Sequence, residues 1–385
     1  MNVYFDNAAT TRVRDEAIEA MVRVMREDYG NPSSTHFSGR YAATVLDGAR
    51  GKVSAALGVD PDEIVFTSGG TESDNWAVLG CAESASLHGK PRGGNHIITS
   101  CIEHDAVLMA AKKLESMGWD VSYLPPDDAG RIPAQAFSEA LRDDTVLASI
   151  MLVNNETGAV NPIREYSREI KKRRLGTVLH TDAVQGLCKI PFTAGSLGAD
   201  MITVSAHKLH GPKGIGALYI RKGLKLPPML HGGSQERGKR AGTEALPAIA
   251  GFGEAAYHAR LERETLLESM RELRDLLVGL VLDELPGAVV IGEGGSPYIT
   301  NLSIPGHRSE VLMNSLESDG ICVSNSAACK KGARSRVLEA MDLPDATIDG
   351  ALRVSLSRYS TREEAEYFVK SLSKAVKRLE KAIGR

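Results

Sequence analysis

Lys208 lies in the segment whose residue types best suit covalent chemistry. It follows Ser205 and His207 and precedes the glycine-rich turn Gly211-Pro212-Lys213-Gly214. A lysine amine condenses with an aldehyde only when it is unprotonated, so a pocket that disfavours its charge would suit Lys208 to forming a Schiff base. Ser205 and His207 could donate hydrogen bonds to a phosphate. The alternative is an ordinary strand, loop and strand with Lys208 in solvent, and this segment alone does not decide between the two.

A second segment could bind an anion at the start of a helix. The strand-like run Ile64 to Thr67 is followed by Ser68-Gly69-Gly70-Thr71-Glu72-Ser73, which opens a helix. Free N–H groups and the helix dipole meet at such a helix start and favour negative charge. The alternative is a capping box without a ligand, with Ser68 or Thr71 as the cap.

Polar residues follow several of the predicted strands. Strands and helices alternate from residue 64 to residue 220, which predicts a mostly parallel sheet with helices on both faces. Ligands bind beyond the carboxyl ends of the strands in such sheets. The polar stretches at those ends are Ser100 to His104, Asn154 to Gly158, Asp182 to Gln185 and the segment around Lys208. One such residue alone is usually a cap or a surface group, but several at the ends of one sheet predict a shared site.

The composition argues against some classes of partner. The chain has 385 residues and a net charge of −3, which gives no electrostatic reason to expect direct binding to nucleic acid or to an anionic membrane. No apolar run approaches the ~18 residues of a membrane-spanning helix. The start, Met1 to Asp6, has neither the basic nor the apolar region of a signal peptide.

The cysteines fall into two groups. Five are scattered without metal-type spacing, and this odd number predicts a reducing, cytoplasmic setting. Four of them lie in apolar or strand-like runs and are expected to be small core residues: Cys81, Cys101, Cys188 and Cys322. Cys329 instead follows small residues and precedes Lys330 and Lys331, which would favour its thiolate. An inert surface cysteine is the alternative.

The pattern changes after residue 220. A basic, glycine-rich loop from Gly232 to Thr243 is either a solvated linker or a second phosphate contact. A long helical region from Leu246 to Leu285 follows, and the remainder predicts an α+β arrangement. We therefore expect a large α/β domain over residues 15–255 and a smaller α+β domain formed by residues 1–14 and 256–385.

These segments together resemble one family. They are Tyr4 to Thr11, Thr67 to Asn75, Glu103-His104, Asn154 to Gly158, His180 to Gln185, Ser205 to Gly216, Arg240 to Thr243, Ser326 to Cys329 and Leu352 to Tyr359. Their types and order are similar to those of the cysteine desulfurases, the NifS/IscS-like group of fold-type I enzymes that use pyridoxal phosphate (PLP). The resemblance spans nearly the whole chain and implies the fold-type I transferase architecture, with a mostly parallel sheet of seven-stranded type.

The resemblance implies a role for each matching residue. The residues that would hold PLP are Gly70, Thr71, His104, Asp182, Gln185, Ser205, His207, Lys208 and Thr243. Lys208 would form the Schiff base and move protons, Asp182 would pair with the pyridine nitrogen, and Gln185 would contact the ring 3′-oxygen. His104 would stack on the ring, while Asn155 and Arg353 would bind the substrate, Arg353 by its carboxylate. No metal ligand is implied.

The resemblance also implies a substrate and partners. L-Cysteine would give L-alanine, and its sulfur would pass to Cys329 as a persulfide. The residue matching Thr243 contacts the phosphate of the neighbouring subunit in this family, so a homodimer is implied. A sulfur acceptor, either an iron–sulfur scaffold protein or a tRNA-thiolation enzyme, would take the sulfur onward.

Two departures and three alternatives remain. The cysteine loop reads Ser326-Ala327-Ala328-Cys329-Lys330-Lys331, and Ser357 stands where the family usually has glycine. The alternatives are a selenocysteine lyase, another class V aminotransferase and a non-catalytic sulfur-relay scaffold. Cys329 argues against plain transamination, and the presence of Lys208, Asp182 and His104 argues against a scaffold.

Overall fold

A seven-stranded sheet carries most of the strand ends that the sequence analysis singled out. The computed structural model describes residues 1–88, 94–292, 294–325 and 334–383. The strands in those residues are β1 (Val3–Tyr4), β2 (Ile64–Thr67), β3 (His96–Ser100), β4 (Asp120–Leu124), β5 (Thr145–Ser149), β6 (Val178–Asp182), β7 (Met201–Ser205), β8 (Gly216–Ile220), β9 (Val289–Ile291), β10 (Ile299–Ser303), β11 (Ile321–Cys322), β12 (Ser324–Asn325) and β13 (Ala351–Ser355). The sheet order is β2-β8-β7-β6-β5-β3-β4, and β8 alone runs antiparallel to its neighbours, which confirms the predicted mostly parallel sheet.

Helices cover both faces of this sheet. The helices in the described residues are α1 (Asp15–Arg26), α2 (Phe37–Leu57), α3 (Gly70–His88), α4 (Asp105–Ser116), α5 (Ala134–Ala140), α6 (Ile163–Lys172), α7 (Ala194–Leu197), α8 (Leu246–Glu284), α9 (Ser309–Ser318), α10 (Arg336–Ala340), α11 (Asp345–Asp349) and α12 (Arg362–Ile383). Val65 and Ile97 pack in one buried cluster with α3 and α4, whereas their neighbours Phe66 and Ile98 pack in another with α2, α6 and α8. Because both faces are buried, these strands are apolar throughout instead of alternating.

The chain termini build a smaller sheet. The strands β12, β13, β10 and β9 pair antiparallel in that order, and β1 pairs with β11 in parallel. Phe5, Leu302 and Phe368 belong to a separate buried cluster on this sheet. The helix α8 joins the two parts, because Phe252 packs in the large-sheet core and Leu277 in the small one. The domain bounds at 14/15 and 255/256 stay a prediction, since α8 passes through position 255 without a break.

Three sequence expectations need correction. The apolar run from Val146 to Val153 predicts one buried strand, but β5 ends at Ser149, because the chain then turns back and Val153 bridges Val160. Cys322 is exposed and Cys101 is half-buried, so neither is a core residue; only Cys81 and Cys188 are buried. Cys322 lies in β11, a two-residue strand in a two-stranded sheet, which leaves its side chain uncovered. Across the described ranges, no helix is long and apolar enough to cross a membrane.

Candidate active site

The ends of three strands bring together the residues expected to hold a ring. Asp182 ends β6 and Ser205 ends β7, with Lys208 in the short turn that follows. His104 caps the start of α4 after β3, where its Nδ1 accepts the N–H of Ala106 at 3.2 Å. His104 and Lys208 both lower the pKa of Asp182, so these groups share one electrostatic environment.

Asp182 is a buried carboxyl group. Burial raises its pKa, while the N–H of Val184, which donates to Oδ1 at 2.8 Å, and the charges of His104 and Lys208 lower it. A carboxylate in this setting is stabilised by a further cation, and a protonated pyridine nitrogen is such a group. The site therefore suits the pairing that the resemblance implies.

The N-terminal segment closes one side of the lysine pocket. The Nζ of Lys208 donates to the carbonyls of Ala8 and Ala9 at 2.5 and 2.7 Å. Gln185 donates from Nε2 to the same Ala8 carbonyl at 2.9 Å, and the N–H of Thr11 donates to the carbonyl of His207 at 3.0 Å. Only the family resemblance predicted that this segment belongs to the site. The hydrogen bonds of Ala8 and Ala9 with Lys208 and Gln185 give the physical reason.

The start of α3 lies beside Ser205 and forms an anion cradle. The first N–H groups of a helix have no acceptor within the helix. A Cβ built on Gly70 would lie 3.1 Å from Cγ2 of Val184 and 3.9 Å from Cβ of Ser205, so glycine lets the backbone approach the strand ends closely. Thr71 is exposed at this helix start. The donors present fit a phosphate group.

His207 follows Ser205 by two residues, in the turn that carries Lys208. Its Nδ1 is 3.2 Å from the hydroxyl of Thr10. Burial and the charges of Lys208, Lys213 and Lys189 lower the pKa of His207 to about 4, so its ring is neutral near neutral pH and carries one N–H donor. It therefore suits a hydrogen bond to an anion rather than a full ion pair.

Arg353 and Asn155 meet as expected, but through the backbone of Asn155. Arg353, on β13, is 1% exposed and donates from Nη1 to the carbonyl of Asn155 at 3.0 Å. Its Nη2 donates to Oδ1 of Asp6 at 2.9 Å, and its buried Nε has no hydrogen-bond partner among the described residues. The guanidinium is therefore held by two distant segments and retains a donor.

Thr243 is exposed on its loop. Several ion pairs hold this loop, and in two of them both carboxylate oxygens are bound. Arg240 donates to both carboxylate oxygens of Glu72, at 2.9 and 3.2 Å, next to Thr71. Arg50 binds Glu236 in the same two-pronged way, at 2.8 and 2.7 Å, in a buried position.

Cys329 lies outside the described residues, but the segment that follows it is anchored beside the site. Ser335 donates to the carboxylate of Glu156, next to Asn155. Arg336 donates from Nη2 to the carbonyl of Glu103 at 2.8 Å, next to His104. The residues after the predicted nucleophile therefore contact both the ring side and the substrate side of the site.

A polar network behind Asp182 was not found from the sequence. His180 is two residues before Asp182 on β6, so both side chains lie on one face of the sheet. Its Nδ1 is 2.8 Å from the hydroxyl of Ser149, and its Nε2 is 3.0 Å from the hydroxyl of Thr203 and 3.7 Å from Oδ1 of Asp74. Burial lowers the pKa of His180 to about 3, so its ring is neutral near neutral pH. Burial and the neighbouring Asp182 raise the pKa of Asp74. The pattern His-x-Asp at a strand end was the available signal.

Comparisons with known proteins agree with this geometry. The family described as aminotransferase class-V matches residues 3–368. A cysteine desulfurase IscS from Dictyoglomus turgidum is 42% identical over 381 residues, which are 98% of this chain and 95% of that protein. A cysteine desulfurase IscS from Methanosarcina thermophila is also 42% identical over 381 residues, covering 98% of this chain and 92% of its own.

The solved structures give the same family. The structure of a NifS-like protein matches with a TM-score of 0.91 and 41% identity, over 98% of this chain and 100% of that one. The agreement includes the fold, the order of the segments and nearly the full length. The chain therefore belongs to the class-V aminotransferase family, in its cysteine desulfurase group.

Proposed function

We propose that this chain is a PLP-dependent cysteine desulfurase that converts L-cysteine to L-alanine and keeps the sulfur as a persulfide on Cys329. The observation that carries the proposal is the convergence of Lys208, Asp182 and His104 at the ends of three strands, beside the helix start at Gly70. The 42% identity to cysteine desulfurases over 98% of the chain supports the reaction.

The cofactor side of the site would hold PLP by its phosphate, its ring and its aldehyde. The start of α3 with Thr71, Ser205 and His207 would bind the phosphate. Asp182 would pair with the ring nitrogen, His104 would stack on the ring, and Gln185 would contact the ring oxygen. When bound, PLP supplies an electron sink next to the substrate's α-carbon.

Lys208 would move a proton. The carbonyls of Ala8 and Ala9 hold its Nζ on the side of the N-terminal segment, which fixes where the amine lies. Nζ would take the proton from the substrate's α-carbon and return one later. His104, exposed in the single chain, would serve a second proton position at the same face.

The substrate side would orient cysteine by its carboxylate. Arg353 is kept in place by Asp6 and by the carbonyl of Asn155, so little side-chain freedom is lost when an anion binds. The buried Nε of Arg353 supports this role, because a donor without an acceptor is costly until one arrives. The Asn155 side chain would complete the contact.

Sulfur transfer would belong to Cys329. Its thiolate attacks the sulfur of the substrate, so an S–S bond forms while the Cβ–S bond breaks. The electron pair of the broken bond stays with the carbon, which takes a proton and leaves as part of alanine. The sulfur remains on Cys329 for an acceptor thiol or thiolate.

The wider assignments belong to the same proposal. We propose a homodimer in which Thr243 of each subunit contacts the phosphate bound by the other, a cytoplasmic setting, and the large and small domains given above. The acceptor would be an iron–sulfur scaffold protein or a tRNA-thiolation enzyme. The exposure of Thr243 supports the dimer, because a hydroxyl on this loop, which Arg240 holds to Glu72, is open to a second subunit.

The test is direct. Purified protein is mixed with PLP and its absorbance recorded, and alanine is then measured after adding cysteine. We expect a Schiff-base absorbance band whose maximum shifts in Lys208→Ala, where PLP can bind only as the free aldehyde, and alanine in equal amount to sulfide when a reductant is present. No band and no alanine in the wild type would refute the function, and faster alanine release from selenocysteine than from cysteine would favour a lyase.

A further inference from the structure

A second lysine lies buried behind the residue that contacts the ring oxygen. Lys189 is 8% exposed and donates from Nζ to Oε1 of Gln185 at 3.1 Å. The turn after β6 brings it there: Leu187 donates its N–H to the carbonyl of Ala183, and Cys188 adopts a left-handed φ of 57°. Because of this turn, Lys189 faces the side chain four residues before it.

The Gln185 amide is held at both ends by groups that allow only one orientation. In its ammonium form Lys189 only donates hydrogen bonds, so in that form the atom that faces it is the amide oxygen. The Ala8 carbonyl only accepts, so the atom facing it, at 2.9 Å, is the amide nitrogen. The two contacts agree, and together they exclude the flipped amide.

The fixed amide leaves a donor for a ligand. An amide NH₂ has two hydrogens, and one of them is taken by the Ala8 carbonyl. The same carbonyl accepts from Nζ of Lys208 at 2.5 Å, so the amide nitrogen lies on the side of the reactive lysine. The flipped amide would present an oxygen there, which would repel an anionic ring oxygen.

We propose that Lys189 is a positioning residue that acts through Gln185, fixing its amide so that the N–H₂ group, not the carbonyl, faces the ring oxygen of the cofactor. This rests on the proposed function, because the ring oxygen is that of PLP.

Burial removes the Lys189 amine from water, which disfavours its charged form, and the hydrogen bond to Gln185 partly offsets this cost. Burial, together with the like charges of Lys208 and Arg353, lowers the pKa of Lys189 to about 7. Its Nζ lies 5.9 Å from the ring centre of Tyr298, which stabilises the cationic form. Because Gln185 is neutral, its contact with Lys189 is a hydrogen bond and not an ion pair.

The test is a double-mutant cycle on cofactor binding. Apo-proteins carrying Lys189→Met, Gln185→Ala or both are titrated with PLP, and the dissociation constant and the absorbance maximum of the bound cofactor are recorded. We expect Lys189→Met to weaken PLP binding by about 2-fold to 12-fold, the value of one net hydrogen bond, with a shift of the absorbance maximum. In the Gln185→Ala background the same change should have no further effect on either readout.

Two controls separate this role from others. Lys213→Met removes a positive charge from the Lys208 turn, where Lys213 donates to the Thr11 carbonyl at 3.3 Å, and it should leave the absorbance maximum unchanged. Lys189→Arg keeps a donor-only group and should restore the wild-type maximum. Replacing a buried charge by Met is often neutral for stability, and the melting temperature of the apo-protein checks this.

Each outcome decides the inference. An unchanged absorbance maximum in Lys189→Met, or an effect that persists in full in the Gln185→Ala background, would overturn it. If Lys189→Met does not fold, Lys189→Ala, which also removes the N–H donor, takes its place in the cycle, and an unchanged absorbance maximum in that variant contradicts the role. A wild-type protein that binds no PLP would refute the proposed function instead.

Discussion

The two sides of the site are built in different ways. The cofactor side comes from strand ends of a single sheet and the helix start beside it, over residues 70 to 208, with Ala8 and Ala9 as its distant contribution. The substrate side joins Asp6, Asn155 and Arg353, which come from the start, the middle and the end of the chain. A sheet edge positions residues by local order, whereas the substrate side depends on how the two sheets pack together.

The largest effect is expected at Cys329, the proposed nucleophile, which would serve the substrate side. Cys329→Ser should abolish alanine release and the persulfide while the PLP absorbance stays, because a serine hydroxyl is not ionised near neutral pH. The measurement is intact mass after brief exposure to cysteine, where a gain of about 32 Da on the Cys329 peptide marks the thiolate attack. Cys101→Ser and Cys322→Ser are the controls, and an adduct on either of those peptides would contradict the assignment.

Lys208 tests the cofactor side. Lys208→Ala should lower turnover by about 100-fold to 10,000-fold, the range for a removed acid–base group, while PLP still binds through its other contacts. The rate constant and the cofactor content are measured together. Lys213→Ala is the matched control on the same turn, and turnover that survives in Lys208→Ala but not in the control would move the chemistry to Lys213.

Arg353 tests the substrate side separately from the cofactor. Arg353→Ala should weaken cysteine binding by roughly 2–5 kcal/mol, because a charged contact is lost and its partner is left unpaired. Cysteine affinity and PLP affinity are compared in the same variant, and only the first should change. Arg353→Lys keeps the charge but loses the planar fork, so its affinity for cysteine should lie between those of the wild type and Arg353→Ala. An unchanged affinity for cysteine would place the carboxylate site elsewhere.

Glu103, the residue before His104, should make the free energy of unfolding depend on pH. Burial raises the pKa of Glu103 from 4.5 to about 8, opposed by hydrogen bonds from Ser100 and the Met151 N–H. The folded state therefore keeps a proton that the unfolded chain loses. The free energy of unfolding should fall as pH rises between these values, by at most about 1.4 kcal/mol per pH unit from this group.

Glu103→Gln should remove that part of the slope. Urea unfolding of the apo-protein at several pH values between 5 and 8 measures it, with the wild type as the reference. Equal slopes for the two proteins would mean that Glu103 is ionised in the folded state.

The smallest effect is expected at Thr243, which would reach the cofactor side from the partner. Thr243→Val, which removes only the hydroxyl, should weaken PLP binding by roughly 2-fold to 12-fold, as for one net hydrogen bond. Thr243→Ser keeps the hydroxyl and should behave as the wild type. Sedimentation tells whether the variants stay dimeric, and a fully active monomer would end the shared-site proposal.

The sequence predicted that the residues of the proposed cofactor side lie close together, because the determinants of that placement are local. Apolar runs fixed β2, β3, β6 and β7, and the polar residues at their ends had to meet at one edge of a parallel sheet. Asp182, Lys208 and Gly70 could therefore be placed near one another before any coordinates. Their individual roles came from the resemblance to a family and not from spacing.

Other features required the tertiary structure. The contacts of Ala8 with Lys208, and of Asp6 with Arg353, join positions about 200 and 347 residues apart, and no periodicity encodes such a distance. Cys322 was expected in the core because its run is apolar, but its side chain on this short strand is exposed among the residues that the structure describes. A sequence determines which face of an element is apolar through local periodicity. Which distant segment covers that face, and which buried donor meets which acceptor, is decided only when the two cores pack against each other.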